Sequence, residues 1–277
     1  MSNKAISTVT IKKADRSILT EAEDLLAREE PLEIKLEHGP AGKKVTKGIS
    51  VTMRTPGADF ELAAGFLYTE GIVTTPKDVL AVCHSNGINE NVVTVTLADD
   101  LTPQINNLER NFYTTSSCGI CGKSSIDAIT AMCNIADTVD HIRISHKLLY
   151  ELPVILRTSQ NVFNHTGGLH AAALFSTNGE LLFSREDVGR HNALDKLIGA
   201  ALFQKLLPLD NHILMLSGRA SFELVQKAAM AGIKVIAAVG APSSLAVDMA
   251  VEWGITLIGF LRGERFNIYS GAERILI

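Results

Sequence analysis

Two of the four cysteines in the chain stand three residues apart, in Ser117-Cys118-Gly119-Ile120-Cys121-Gly122-Lys123. Thiols at that spacing can exchange a disulfide, hold a soft metal or carry a persulfide, and the cation of Lys123 favours the thiolate form. The polar, glycine-rich surroundings suit an exposed pair better than two buried apolar cysteines. Zinc would need two more ligands. His141 and His146 are acceptably spaced from each other, but 19 residues separate Cys121 from His141, more than the about 12 to 15 of the finger pattern, and no second CxxC exists. A long polar segment precedes the pair, where a thioredoxin-like site would have a strand. No metal held by protein ligands is expected. Cys83 and Cys133 read as packing residues.

A second cluster, Glu186, Asp187, Arg190 and His191, falls where a strand gives way to a helix. That position suits acid–base work or hydrogen bonding to a ligand. It equally suits capping by Asp187 and i, i+4 pairs of Asp187 with His191 or His191 with Asp195, and from spacing both readings stay open. His165 and His170 are similarly ambiguous. Further along, Ser217-Gly218-Arg219-Ala220-Ser221 and Gly240-Ala241-Pro242-Ser243-Ser244 are glycine- and serine-rich loops between strand and helix patterns. Ligands bind at such carboxyl-terminal strand ends, where free N–H groups and the helix dipole favour phosphate. Ser221, Ser243 and Ser244 add hydroxyl donors, or they only cap their helices.

The elements that must position these residues follow from hydrophobic period. Apolar runs at 171–175 and 181–183 flank Thr177-Asn178-Gly179, a strong hairpin signal. A helix over about 191–206 presents Ala193, Leu194, Leu197, Ile198 and Ala201 on its apolar face. Strands at 212–216, 234–239 and 255–260 then alternate with helices ending near Ala231 and Glu252. The short β-branched runs imply a parallel α/β sheet buried on both faces. In the first third, a hairpin joins 34–36 to 45–53, a helix carries Phe60, Ala63, Ala64, Leu67 and Tyr68 up to Gly71, and Val92, Val93, Val95 and Leu97 mark another strand. The expected organisation is a small strand-rich α+β domain over 1–110, a mobile CxxC loop with a connecting helix over 111–139, and a layered α/β domain over 140–277.

Composition narrows the function classes. With 46% hydrophobic and 20% charged residues the chain can pack a core, which excludes wholesale disorder. The 26 Lys+Arg against 30 Asp+Glu, net −4, leave no basic excess for nucleic acid or an anionic membrane. No apolar run approaches the about 20 residues of a membrane span, and the first residues lack a signal-peptide pattern. Sparse cysteine fits a reducing, cytoplasmic location.

Taken together, Cys118-Gly-Ile-Cys121-Gly, Thr166-Gly-Gly-Leu-His170-Ala-Ala-Ala, Glu186-Asp-Val-Gly-Arg-His-Asn-Ala-Leu-Asp-Lys196, Ser217-Gly-Arg-Ala-Ser221 and Gly259-Phe-Leu-Arg-Gly-Glu-Arg265 resemble, in order, the motifs of the formate dehydrogenase accessory sulfurtransferase family. Phe60-Glu-Leu-Ala-Ala-Gly-Phe-Leu-Tyr-Thr-Glu-Gly71 resembles it too. The resemblance implies a cytoplasmic homodimer that receives sulfur from a cysteine desulfurase as a persulfide on Cys118, with Cys121 as its partner. It further implies transfer to the molybdenum (or tungsten) bis-molybdopterin guanine dinucleotide cofactor before the cofactor enters the formate dehydrogenase catalytic subunit. Phe260, Leu261, Arg262, Gly263, Glu264 and Arg265 match the family's cofactor-binding segment. Ser217, Gly218, Arg219, Ser221, Ser243, Ser244, Asp187 and His191 complete the expected crevice for the cofactor and its guanine nucleotide. The implied fold of the second domain is a three-layer, cytidine-deaminase-like scaffold. Zinc deaminases need H-x-E and P-C-x-x-C at successive helix starts. His191-Asn192-Ala193 lacks the Glu and Ser217-Gly218-Arg219 lacks cysteine, so deamination is disfavoured. A CxxC redox switch and a non-enzymatic cofactor-binding chaperone remain as alternatives.

Overall fold

The computed structural model describes residues 4–85, 89–99, 101, 103 and 141–277. Cys118, Cys121 and Cys133, and the loop and helix expected over 111–139, lie outside the described residues.

A long hairpin opens the chain: β1 (Ile6–Asp15) pairs antiparallel with β2 (Ile18–Ala27) as a separate two-stranded ribbon. Sequence periodicity did not predict it, because its faces are mostly polar and exposed. Then come β3 (Glu30–His38), β4 (Val45–Arg54), α1 (Asp59–Thr69), β5 (Val79–Ser85) and β6 (Asn89–Leu97). These four strands form one sheet in the order β4-β3-β6-β5. Strict alternation explains its packing: Leu32, Ile34 and Leu36 of β3 are fully buried against Leu62, Ala63 and Leu67 of α1, while the charged residues between them face away.

The rest of the described chain runs β7 (Ile144–Ser145), α2 (His146–Ser159), α3 (Asn161–Thr166), β8 (His170–Ser176), β9 (Leu181–Asp187), α4 (Arg190–Phe203), β10 (His212–Leu216), α5 (Phe222–Met230), β11 (Val235–Ala238), α6 (Ser244–Glu252), β12 (Thr256–Arg262), β13 (Arg265–Ser270) and β14 (Ile275–Leu276). Six of these strands make a second sheet in the order β13-β12-β11-β10-β8-β9. The three runs expected to be parallel are so, within a sheet that is mixed as a whole. Only β10, β11 and β12 run parallel; the β8–β9 and β12–β13 hairpins turn both sides of the sheet antiparallel. Tight turns can join only antiparallel neighbours, so each hairpin signal carried this consequence.

Both faces of this sheet are covered. Ala172, Leu174, Leu214, Leu216, Ile236 and Leu257 pack under α4, α5 and α6, and the intervening Ala173, Phe175, Ile213, Met215 and Val235 pack under α2. Period two therefore reads as continuous apolar sequence because both sides are buried. Helix α4 was expected to be amphipathic, yet every residue from Asn192 to Leu202 is buried, Asp195 and Lys196 included. The second covering is α1, which crosses α4 at close range. A Cβ on Gly65 would overlap the Asp195 carbonyl oxygen, and one on Gly199 the Glu61 carbonyl oxygen. Only glycine at both positions lets the backbones meet. Gly199→Ala should therefore destabilise the chain by about 3 kcal/mol, through forced separation of α1 and α4. Denaturant unfolding compared with an exposed control, Ser244→Ala, checks this.

Candidate functional site: a cationic strand edge

The ends of β10, β11 and β12 lie side by side, as their expected parallel course requires. The Gly240 N–H donates to the Gly218 carbonyl at 2.9 Å, and the Phe260 N–H to the Gly240 carbonyl at 3.1 Å. The loops after β10 and β11 are stitched together by Ala220 N–H to the Ala241 carbonyl and Ser243 N–H to the Ala220 carbonyl. Ser217, Gly218, Arg219, Ser221, Ser243 and Ser244 are thus gathered on one edge. Their serines divide by role. The Ser243 hydroxyl caps α6 through the Ala246 N–H, and the Ser217 hydroxyl accepts the Ala171 N–H at 2.8 Å. Ser221 is the N-cap of α5 but makes no side-chain cap, and its hydroxyl lies 3.4 Å from His191 Nε2.

His191 projects from the first turn of α4, and His170 begins β8. Burial is the main force lowering both imidazoles, to about 4 for His191, with the positive charge of Arg190 acting on each in the same direction. Glu223, 3.9 Å from His191 Nε2, opposes this only in part. Arg190 itself makes no hydrogen bond or ion pair with any described residue, and its Nε is enclosed without a partner. A half-buried guanidinium without a carboxylate, beside neutral imidazoles and the exposed Arg219, is a ready site for an anion. Arg190 was visible in the sequence only as one member of a charged cluster. What marks it is the lack of an acidic partner among the described residues, a property of tertiary packing.

Neither anticipated i, i+4 pair forms. Asp187 is completely buried. Its carboxylate binds Lys196 Nζ at 2.7 Å and accepts N–H groups from Thr55 and Gly189 and the side-chain amide of Asn192. Asp195 instead accepts from Thr69 and Lys227. Asp187 therefore stands behind the edge, holding α4 in place, with its oxygens already engaged. Glu186 is engaged as well, accepting the Val162 and Phe163 N–H groups.

The segment Phe260 to Arg265 is a hairpin turn rather than a strand-to-helix loop. Phe260, Leu261 and Arg262 belong to β12, Gly263 and Glu264 make the turn, and Arg265 starts β13 opposite Arg262. Leu261 is wholly buried, and the turn displays Arg262, Glu264 and Arg265 to solvent. Phe260 adopts a left-handed φ of 54°, an unusual conformation for a bulky residue, where its N–H reaches Gly240. Cys83, expected in packing, is exposed because it lies on the outer strand of the first sheet. Among the described residues no cluster of His, Cys, Asp or Glu could hold a metal ion, and no helix is long and apolar enough to cross a membrane.

Fold and candidate site define a mixed α/β protein with a cationic, hydroxyl-lined strand edge. Residues 27–276 match the model of the FdhD/NarQ family, and the chain belongs to that family. It is 52% identical over 275 residues to the sulfur carrier protein FdhD of Streptomyces coelicolor, covering 96% of this chain and 94% of that protein. The sulfur carrier protein FdhD of Thermoplasma volcanium is 44% identical over 278 residues, covering 99% and 98%. A crystal structure of a proposed formate dehydrogenase accessory protein from Desulfotalea psychrophila shares the fold, with a TM-score of 0.75 at 24% identity over 98% of this chain and 100% of that one.

The histidines make stability depend on pH. The folded chain holds His191 at about 4, against 6.5 ordinarily, so the unfolded chain takes up its proton first. Stability from this group is complete above pH about 6.5 and is lost as the pH falls towards 4, with His170 adding in the same direction. His191→Gln should flatten this part of the profile, read as unfolding midpoint against pH.

Proposed function

We propose that the chain is a sulfurtransferase that carries persulfide sulfur from a cysteine desulfurase to the molybdenum or tungsten bis-molybdopterin guanine dinucleotide cofactor during formate dehydrogenase maturation. The names of its relatives support sulfur carriage, and Cys118 and Cys121 supply thiols for it. In loading, the Cys118 thiolate attacks the outer sulfur of the desulfurase persulfide. A new S–S bond forms, the old one breaks, and the desulfurase cysteine leaves as thiolate. In delivery, a nucleophile of the acceptor attacks the outer sulfur on Cys118, which departs as thiolate in turn, with Lys123 favouring that charge.

The observation that carries the acceptor half is the Arg190 guanidinium, uncompensated among the described residues, near Arg219, Ser221 and the two neutral histidines. Phosphates of a guanine dinucleotide would satisfy these donors, and Arg262 and Arg265 would extend the site along the β12–β13 turn. Asp187 acts by position, fixing the start of α4. The scaffold is read as cytidine-deaminase-like, supported by the β9-β8-β10-β11-β12 strand order and by helices on both faces. A cytoplasmic homodimer delivering to the formate dehydrogenase catalytic subunit completes the reading.

Intact-mass measurement after incubation with cysteine and a cysteine desulfurase should show an adduct of about +32 Da, one sulfur, that Cys118→Ala abolishes. Cys121→Ala should impair formate dehydrogenase maturation, whereas Cys83→Ala should not; full maturation with Cys118→Ala would refute the carrier role. Arg190→Ala should weaken GDP binding by about tenfold to a hundredfold while leaving persulfide loading intact, as measured by calorimetric titration.

A further inference from the structure

Helices α4 and α5 meet through two polar rungs. On α4, His191 and Asp195 stand four residues apart and share a face; on α5, Glu223 and Lys227 do the same. The first rung sets His191 Nε2 3.9 Å from the Glu223 carboxylate, and the second sets Asp195 2.9 Å from Lys227 Nζ. The rungs differ in charge. The second is a full ion pair, to which Glu70, 3.7 Å from the same ammonium, adds another carboxylate. The first holds a carboxylate against a neutral imidazole, although both side chains are only 13% exposed. Burial keeps the proton off His191 first, the Arg190 charge next, and Lys227 and His170 act in the same direction, while Glu223 pulls the other way. Of these groups, Arg190 is the one whose charge an anion at the edge would neutralise. With that repulsion cancelled and the Glu223 attraction left in place, the proton affinity of His191 rises. The Ser221 hydroxyl, 3.4 Å from Nε2, can serve either state of the ring, because it both donates and accepts.

We propose that Glu223, acting through His191, couples anion binding at this edge to the uptake of one proton from solvent, so that the first rung becomes an imidazolium–carboxylate pair when the edge is occupied. The inference rests on the cofactor reading above for the anion, and it concerns the regulation of that site. Glu223 touches His191 and not the anion, which makes it a positioning residue. Linkage is reciprocal: if the anion favours the proton, the proton favours the anion by the same factor. Anion affinity therefore climbs as the pH falls through the bound-state pKa of His191, and levels off below about 4, where the ring is protonated without the anion as well.

The test follows the His191 ring by nitrogen NMR of the full chain carrying isotope-labelled histidine, titrated with acid with and without saturating GDP. The signal is assigned by its loss in His191→Gln, and because it reports the ring itself, ionisation of the GDP phosphate does not enter. GDP should raise the His191 midpoint by about one pH unit or more, which by linkage is about a tenfold gain in GDP affinity across the transition. Glu223→Gln should remove most of that rise without weakening GDP binding at pH about 8, where the ring is neutral with or without GDP, and Glu223→Asp, which keeps the charge, should restore part of it. A merely structural role for Glu223 would instead lower GDP affinity at every pH. If wild type binds GDP and the His191 midpoint does not move, the coupling is refuted and the cofactor reading stands; an equal rise in Glu223→Gln refutes the role of Glu223. If wild type does not bind GDP, both readings fall.

Discussion

The Asp187 carboxylate, sealed from water at the junction of the two large sheets, is the interaction on which the rest of this structure depends. Burying an ionised carboxylate is costly unless every lone pair finds a donor. Here Lys196 neutralises it and three N–H donors complete its shell. Lys196 also donates to the Thr55 carbonyl at 2.8 Å, so both members of the pair grip the same turn between β4 and α1. That turn belongs to the four-stranded sheet, and the pair belongs to the edge of the six-stranded one. Removing either partner would strand a charge in the interior, typically a loss of about 3 to 5 kcal/mol. A second buried pair, Asp195 with Lys227, starts from the residue before Lys196 on α4 and adds Thr69 from the end of α1. Burial opposes the Lys227 charge, but the Asp195 and Glu70 carboxylates outweigh it and hold the ammonium above its ordinary range.

This rigid seat explains how the functional edge can carry unbalanced charge. Arg190 and His191 follow Asp187 by three and four residues, so the network that fixes the start of α4 also aims them. Repulsion among Arg190, Arg219 and any proton on the histidines would favour opening such an edge, and the deeply held α4 resists it. Burial and the neighbouring arginines favour neutral imidazoles, which limits the positive charge gathered at the edge. The site is thus destabilised locally and stabilised from behind, a common arrangement at binding sites.

The conformation of Phe260 fits the same pattern. Its left-handed backbone interrupts β12 where the strand leaves the core, turning the chain so that Leu261 remains buried while Arg262 emerges. Register shifts in the β12–β13 pairing accompany it. The irregularity sets Arg262 opposite Arg265 at an exposed turn just past the Phe260–Gly240 hydrogen bond.

Much of this was legible in the sequence, because it depends on neighbours along the chain. The Asn178-Gly179 turn, the alternating pattern of β3, the continuous apolar run of β8, the strand and helix order from β10 to β12, and the CxxC thiols are local patterns of period, turn chemistry and spacing. Composition likewise set the lack of basic excess. What the sequence could not display were relations made by packing. The Asp187–Thr55 contact spans 132 residues and arises only once α1 crosses α4. The β1–β2 ribbon escaped periodicity because it buries almost nothing. Among the described residues the Arg190 guanidinium has no acidic partner, a property that can be read only once side chains are placed in space. Local sequence thus determined the elements and the reactive groups. The tertiary structure decided which charges are neutralised by a partner and which are not, because compensation is a property of three-dimensional neighbours.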